Sequence, residues 1–195
     1  MTIKKKFLHF KKMKSDFFAQ YKNEIRPKLQ KKLKLNLMQI PSIEKIVVNA
    51  GIGSFLKKIN SKNPDFVIEN LTKICGQKPV LRKAKVSVSN FKVREGMPVG
   101  VSTTLRKHAA YNFLGKLIHI VFPRVRDFRG VKKNIFDPNG NCSFGFSDFT
   151  VFPETEIPED SRKIHGLQVT IVFSGEKNPE FSRQFLELFN FPFKK

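Results

Sequence analysis

The side chains able to do chemistry are scattered along this chain rather than gathered. His9, His108, His119 and His165 share no H-E-x-x-H or similar metal spacing, and they stand apart from the acid-rich stretch at 153–160. Gly51-Ile52-Gly53 follows a predicted strand but lacks the third glycine of a dinucleotide loop and the G-K-[ST] of a phosphate loop. It reads as a turn. No serine sits in G-x-S-x-G. Cys75 and Cys142 lie far apart with no C-x-x-C pair, which fits two reduced, partly buried thiols. Catalysis needs a convergent constellation. None is visible, so neither an enzyme nor a metal or other cofactor is expected.

The chain is rich in cations instead. Lys and Arg number 37 against 16 Asp and Glu, a net charge of +21 with a pI near 10.2. Such a balance repels itself unless an anion neutralises it, and nucleic acid is the commonest such partner. A membrane surface is the rival, although no stretch approaches the ~18 apolar residues of a spanning helix. Lys78, Arg82, Lys83, Lys85, Lys92 and Arg94 run without an acid before Glu95. Arg124, Arg126, Arg129, Lys132 and Lys133 form a second run with Asp127 as its one acid. A charge run alone is usually a solvated face, so the elements that carry these residues decide what they mean.

Forty per cent hydrophobic residues over 195 positions suffice for a core. Residues 1–14 hold six lysines and no acid, and are expected to be a basic tail ordered on a polyanion. Residues 15–195 are expected to form a single domain. No secretory signal is read in the tail, and it lacks the Arg and Ser richness of a transit peptide. A basic amphipathic helix is predicted over 15–35, with Pro27 kinking or dividing it. Strands are predicted at 43–50, 99–105, 141–149 and 167–174, with extended segments at 80–88 and 90–94 around a turn at 95–98. Helices are predicted at 64–75, capped by Asn63, at 107–122, stopped by Pro123, and at 179–189.

The alternation puts Ile46, Val48 and Ala50 on one side of the first strand and Lys45, Val47 and Asn49 on the other. In the same way Thr104 and Arg106 oppose Val101, Thr103 and Leu105. The fold class is therefore α+β: an antiparallel sheet with helices packed on one face, an open RNA-binding face, and a basic N-terminal extension. Phe91 stands beside that face, where an exposed ring could stack on a base or ribose; the alternative is a place in the core, where Phe is normally found. Phe occurs 21 times and Trp never. With abundant Lys, Ile and Asn this suggests AT-rich codons, and so a genome such as an organelle's.

Several ordered strings are more specific. Met38-Gln39-Ile40-Pro41-Ser42-Ile43-Glu44-Lys45-Ile46, Gly76-Gln77-Lys78-Pro79, Phe91-Lys92-Val93-Arg94-Glu95-Gly96-Met97-Pro98, Pro123-Arg124-Val125-Arg126-Asp127-Phe128-Arg129-Gly130, Phe152-Pro153-Glu154 and Phe191-Pro192-Phe193 succeed one another. From about residue 20 onward the chain closely resembles the bacterial-type family of large-subunit ribosomal proteins called L-five. The resemblance implies a scaffold of the central protuberance, set among neighbouring large-subunit proteins. Its partners would be 5S rRNA, the large-subunit rRNA, the P-site tRNA and the small-subunit head protein S-thirteen, with no membrane. Carried over by motif position, the rRNA contacts are Lys45, Asn49, Gln77, Phe91 and Thr104, with Arg94 beside them. Lys78, Arg82, Lys83 and Lys85 would approach the tRNA elbow, and Arg124, Arg126 and Arg129 form a further basic loop. The implied location is a ribosome, and composition points to an organellar one over the bacterial cytoplasm. The chain departs from the family pattern where Asp137-Pro138-Asn139-Gly140-Asn141 replaces Asp-Gly-Arg-Gly-Asn and Arg106-Lys107-His108 replaces Arg-Gly-Glu.

Overall fold

The computed structural model describes residues 17–53, 64–155 and 164–194. The lysine-rich tail, Asn63 and most of the acid-rich stretch lie outside them. The first helix, α1, starts at Phe17–Gln20, takes a π turn at Tyr21–Ile25 and continues through Arg26–Leu33. Pro27 neither divides nor ends it. A proline offers no N–H to the carbonyl four residues earlier and crowds it. Here the helix widens just upstream, the Arg26 N–H donating to the Tyr21 carbonyl, and the run absorbs the missing bond. The same device recurs in α3 (Lys107–Lys116). It passes into a π turn at Leu117–Val121 before Pro123 closes it in a short 3₁₀ turn, Phe122–Arg124.

The remaining elements are β1 (Ser42–Gly51), α2 (Asp65–Cys75), β2 (Val80–Lys83), β3 (Pro98–Arg106), β4 (Cys142–Phe146), β5 (Leu167–Ser174) and α4 (Pro179–Leu188). Helix α2 begins on Pro64 and ends in the left-handed Gly76, while Asn178 caps α4 by accepting from the Glu180 N–H at 2.9 Å. The strands form one antiparallel sheet in the order β2-β3-β1-β5-β4. One face carries Ile46, Val48, Ala50, Val101, Leu105, Val169 and Ile171, all buried. Helices α2 and α3 pack there, with α1 and α4 in contact at the far end. Gly115 of α3 admits the ring of Phe17 where a Cβ would collide with it. Tyr111 accepts from the Ile43 N–H and Tyr21 donates to the Pro41 carbonyl, both at 3.1 Å, tying helices α3 and α1 to the start of β1.

Two sequence expectations need correction. The extended run predicted over 80–88 is a strand only as far as Lys83. Beyond it the chain leaves the sheet as an arm, residues 84–97, closed on itself by the Val88–Val93 bridge and joined at its base by Ala84 N–H to Met97 O at 2.8 Å. The register of β2 on β3 already slips between Arg82 and Lys83, and Gly96 turns at a φ of 80° before Pro98, which has no N–H to give a ladder. The strand predicted over 141–149 is likewise shorter, because Phe149 turns into a 3₁₀ segment and is buried with Phe152.

Candidate RNA-binding interface

Opposite the helices, antiparallel pairing aligns the outward residues of neighbouring strands into ranks. Ser102, Asn49 and Gln168 form one; Thr104, Val47, Thr170 and Ser143 the next; Arg106, Lys45 and Val172 the third. Most of these side chains are half-buried or exposed. The central ranks offer hydroxyls and amides, and the cations stand at the margins. Ser143 and Thr170 share a hydrogen bond of 3.0 Å, and the Arg82 Nε–H donates to the Ser102 hydroxyl at 3.0 Å, laying the guanidinium over the face.

Lys45 and Arg106 are not bare charges. Their nitrogens lie 3.5 and 3.7 Å from one carboxylate oxygen of Glu44. Strict alternation would send Glu44 to the core side, away from its neighbour Lys45. The β1–β5 register slips between Ile43 and Lys45, which makes Glu44 the extra residue of a bulge and turns it outward.

Lys45, Asn49 and Thr104 lie on the outward face as the alternation predicts. Gln77 and Lys78 are exposed in the turn between α2 and β2. Phe91 is 71% exposed at the tip of the arm, not in the core. Arg94 is exposed near the arm's base, where its backbone N–H meets the Met97 sulfur at 3.2 Å. The four cations assigned to one loop are divided: Arg82 belongs to the sheet face, while Lys78, Lys83 and Lys85 are spread along the β2 margin. Arg124, Arg126 and Arg129 are exposed on the loop after α3. This loop is held by Phe128 stacked 5.0 Å from Phe122 and by the pairing of Val131 with Phe193. Phe122 also packs on Phe144 of β4, so this patch sits by the opposite edge of the sheet from Phe91. Sequence reasoning missed Glu44, Gln168 and Thr170. The alternation of β5 carried the last two.

The other reactive groups pack. His165 stacks on Phe149 at 4.5 Å, His108 lies 4.3 Å from Phe18 and His119 5.5 Å from Phe17. Burial pushes the Cys75 thiol up to about 11 and the Cys142 thiol up to about 12, holding both protonated at neutral pH. Among the described residues no three His, Cys, Asp or Glu side chains cluster as a metal site, and no helix is long and apolar enough to cross a membrane.

Two family descriptions match the chain in sequence order. "Ribosomal protein L5" covers residues 36–94, and the C-terminal region of the ribosomal L5 family covers 98–193. Their junction falls at the end of the arm. The chain is 47% identical to the large ribosomal subunit protein uL5 of Thermosipho africanus, over 90% of this chain and 96% of that one. It is 48% identical to the protein of that name from Thermotoga maritima, over 90% and 94%, and 46% identical to that of Fusobacterium nucleatum, over 94% and 99%.

Proposed function

The chain belongs to the ribosomal protein L5 family of the large ribosomal subunit, and from that premise we propose that the outward face of its sheet binds 5S rRNA. The observation that carries this is the polar, solvent-reaching face itself, ranked hydroxyls and amides with cations at its margins and an exposed ring beside it. The marginal cations neutralise phosphates and release counterions. Asn49, Thr104 and Gln168, with Gln77 at the α2–β2 turn, are suited to 2′-hydroxyls and base edges, so shape sets specificity more than sequence does. The protein acts as a structural constituent, not an enzyme.

The two margins serve different RNA. Lys78, Lys83 and Lys85 lie on the side proposed to approach the P-site tRNA. Arg124, Arg126 and Arg129, on the far side, would meet large-subunit rRNA or the head of the small subunit through S-thirteen. Residues 15–195 act as one unit, and the six lysines of residues 1–14 add charge for phosphate contact. Composition is the sole support for an organellar ribosome, and the relatives quoted above are bacterial.

Sucrose-gradient fractionation of native extract, with sequencing of the RNA that co-purifies, tests this proposal. The chain is expected in the large-subunit fraction, with a 5S species recovered on the purified protein. Flotation with anionic vesicles and absence from ribosomes would overturn it.

A further inference from the structure

Of the eight large hydrophobic side chains exposed among the described residues, six lie between positions 80 and 99. The other two, Leu37 and Met38, stand at the opposite end of β1, and Met38 is 85% exposed. A tight turn holds them there. The Asn36 N–H donates to the Gln39 side-chain oxygen at 3.1 Å, and the Gln39 N–H returns to the Asn36 carbonyl at 3.0 Å. Leu37 and Met38 are the two central residues of that turn. The Glu176 N–H clamps it to the body through the Gln39 carbonyl at 3.1 Å, and a Cβ on Gly175 would strike the same carbonyl. The fold therefore presents this apolar pair to water, where it gains by being covered.

Behind the turn lies a hollow of about 370 Å³ between α1, the start of β1 and the first turn of α3. Phe18, Tyr21, Ile43 and Tyr111 give it apolar walls, and Leu37 and Met38 form its rim. Lys22, Arg26 and Lys107 line it too, against one acid, Glu44, which Lys45 and Arg106 already engage. Among the described residues none of these three cations is paired with a carboxylate. Arg26 is the sharpest case. Its Nη2 donates to the Leu37 carbonyl at 3.2 Å, which draws the guanidinium to the rim, while its Nε is enclosed with no acceptor among the described residues. A cation so poorly hydrated gains more from a carboxylate than one in open water does.

We propose that this hollow docks a short acidic segment of a second protein. The segment seats one apolar side chain on Leu37 and Met38 and sets its carboxylates against Lys22, Arg26 and Lys107. Charge decides between the occupants. The chain's own residues 1–14 lead into α1 beside the hollow, but their six lysines are repelled by these cations. A second copy would bring a net charge of +21 to meet the same charge. An RNA backbone would satisfy the cations and leave the apolar rim wet. An acidic peptide with an apolar anchor covers both, as in interfaces whose buried anchor is ringed by polar contacts. The hollow lies on the helix side of the molecule, at the far end of β1 from the arm, and its docking role does not rest on the RNA reading.

The test is fluorescence anisotropy of the full chain with two labelled peptides of equal length. One is a run of glutamates with a Leu-Phe pair at its centre, and the other has Ser-Ser in place of that pair. The charge of the whole chain attracts both, so the ratio of their affinities isolates the apolar contact. The wild type is expected to bind the Leu-Phe peptide at least about tenfold more tightly. Met38→Glu should bring that ratio to about one, with melting temperature and 5S rRNA affinity retained. Val86→Glu, which places the same charge on the arm, should leave the ratio as it is. Lys22→Gln should weaken the Leu-Phe peptide by about threefold. A wild-type ratio near one, an equal loss in Val86→Glu, or unchanged affinity in Lys22→Gln overturns the docking site and leaves the RNA reading standing. A loss of rRNA affinity in Met38→Glu assigns the hollow to RNA, and a dimer in sedimentation that this variant abolishes assigns it to a second copy; either result overturns the proposal.

Discussion

Glu44 is a carboxylate set between two cations of the outward face, and removing its charge gives the sharpest test of the electrostatics. The perturbation is Glu44→Gln, which keeps the side chain's shape. In the free protein Glu44 lies 3.5 Å from Lys45 and 3.7 Å from Arg106. A phosphate that pairs with either cation comes to rest at about 7 Å from the carboxylate, where two like charges repel by about 0.6 kcal/mol in a water-like dielectric. One phosphate so placed gives about a threefold gain in affinity for the variant, and one at each cation about eightfold. Salt should reveal the same charge. On binding, Glu44 gives up its cation partners and takes a counterion from solution, which offsets one of those released by the RNA. The variant's plot of log affinity against log salt should therefore be steeper by about one ion. Filter binding of 5S rRNA between about 50 and about 200 mM salt measures both quantities. The lost ion pairs are solvent-exposed, with side-chain accessibilities of 33% to 57%, so the cost to folding is at most about 1 kcal/mol. Unchanged or weaker binding by a normally melting Glu44→Gln protein would refute the reasoning, because Lys45 and Arg106 would then not be meeting phosphate.

Phe91→Ala should weaken 5S rRNA binding by about 1–3 kcal/mol with no change in salt slope, since it removes a stacking surface and not a charge. Lys45→Ala should instead flatten the slope by about one counterion; the same titrations separate the two. The buried thiols should make the fold alkali-sensitive. The ordinary thiol value is 9.0 and the folded ones are raised to about 11 and about 12, so the neutral forms are favoured by the fold; their contribution is intact below 9.0 and is lost as pH rises through the raised values. Tyr21 and Tyr111, raised from 10.0 by burial, act in the same direction, and thermal melts under reducing conditions should drop as pH rises from about 9 toward about 12. Lys107 has a φ of 51°, a left-handed conformation that costs an L side chain energy and glycine none. Lys107→Gly should therefore raise stability by about 0.5–1 kcal/mol, read as a higher urea midpoint with unchanged m.

The fold was legible wherever local chemistry and tertiary packing agree. Asn178-Pro179 announces a cap followed by a first-turn proline, and α4 starts there. The alternation of Leu167, Val169, Ile171 and Phe173 is β5, residue for residue. The sequence misled where a second influence enters. Pro27 suggests a break when viewed alone, but a π turn five residues long accommodates it at lower cost than ending a helix whose Leu29 and Ile25 are buried. Residues 84–88 have the β-branched content of a strand, yet the sheet does not extend to them. The pairing ends where Arg82 and Lys83 slip register and the Pro98 ring offers no donor.

For the site, composition identified the kind of partner, and alternation placed Lys45, Asn49 and Thr104 on the face that stays outward. Two features were out of reach, for the same reason: each depends on a displacement of one residue. The bulge at Glu44 turns a carboxylate outward against the alternation, and the register slip at Lys83 releases the arm that holds Phe91 beyond the sheet edge. Together they change what the net charge means. A uniformly basic face would hold any polyanion equally well. Here the centre is neutral and hydrogen-bonding, an acid moderates the cations at one end, and an exposed ring stands at the other. On the proposed reading, long-range charge would bring RNA to this surface. The uncharged groups, which gain little from a featureless duplex, would then determine which RNA stays.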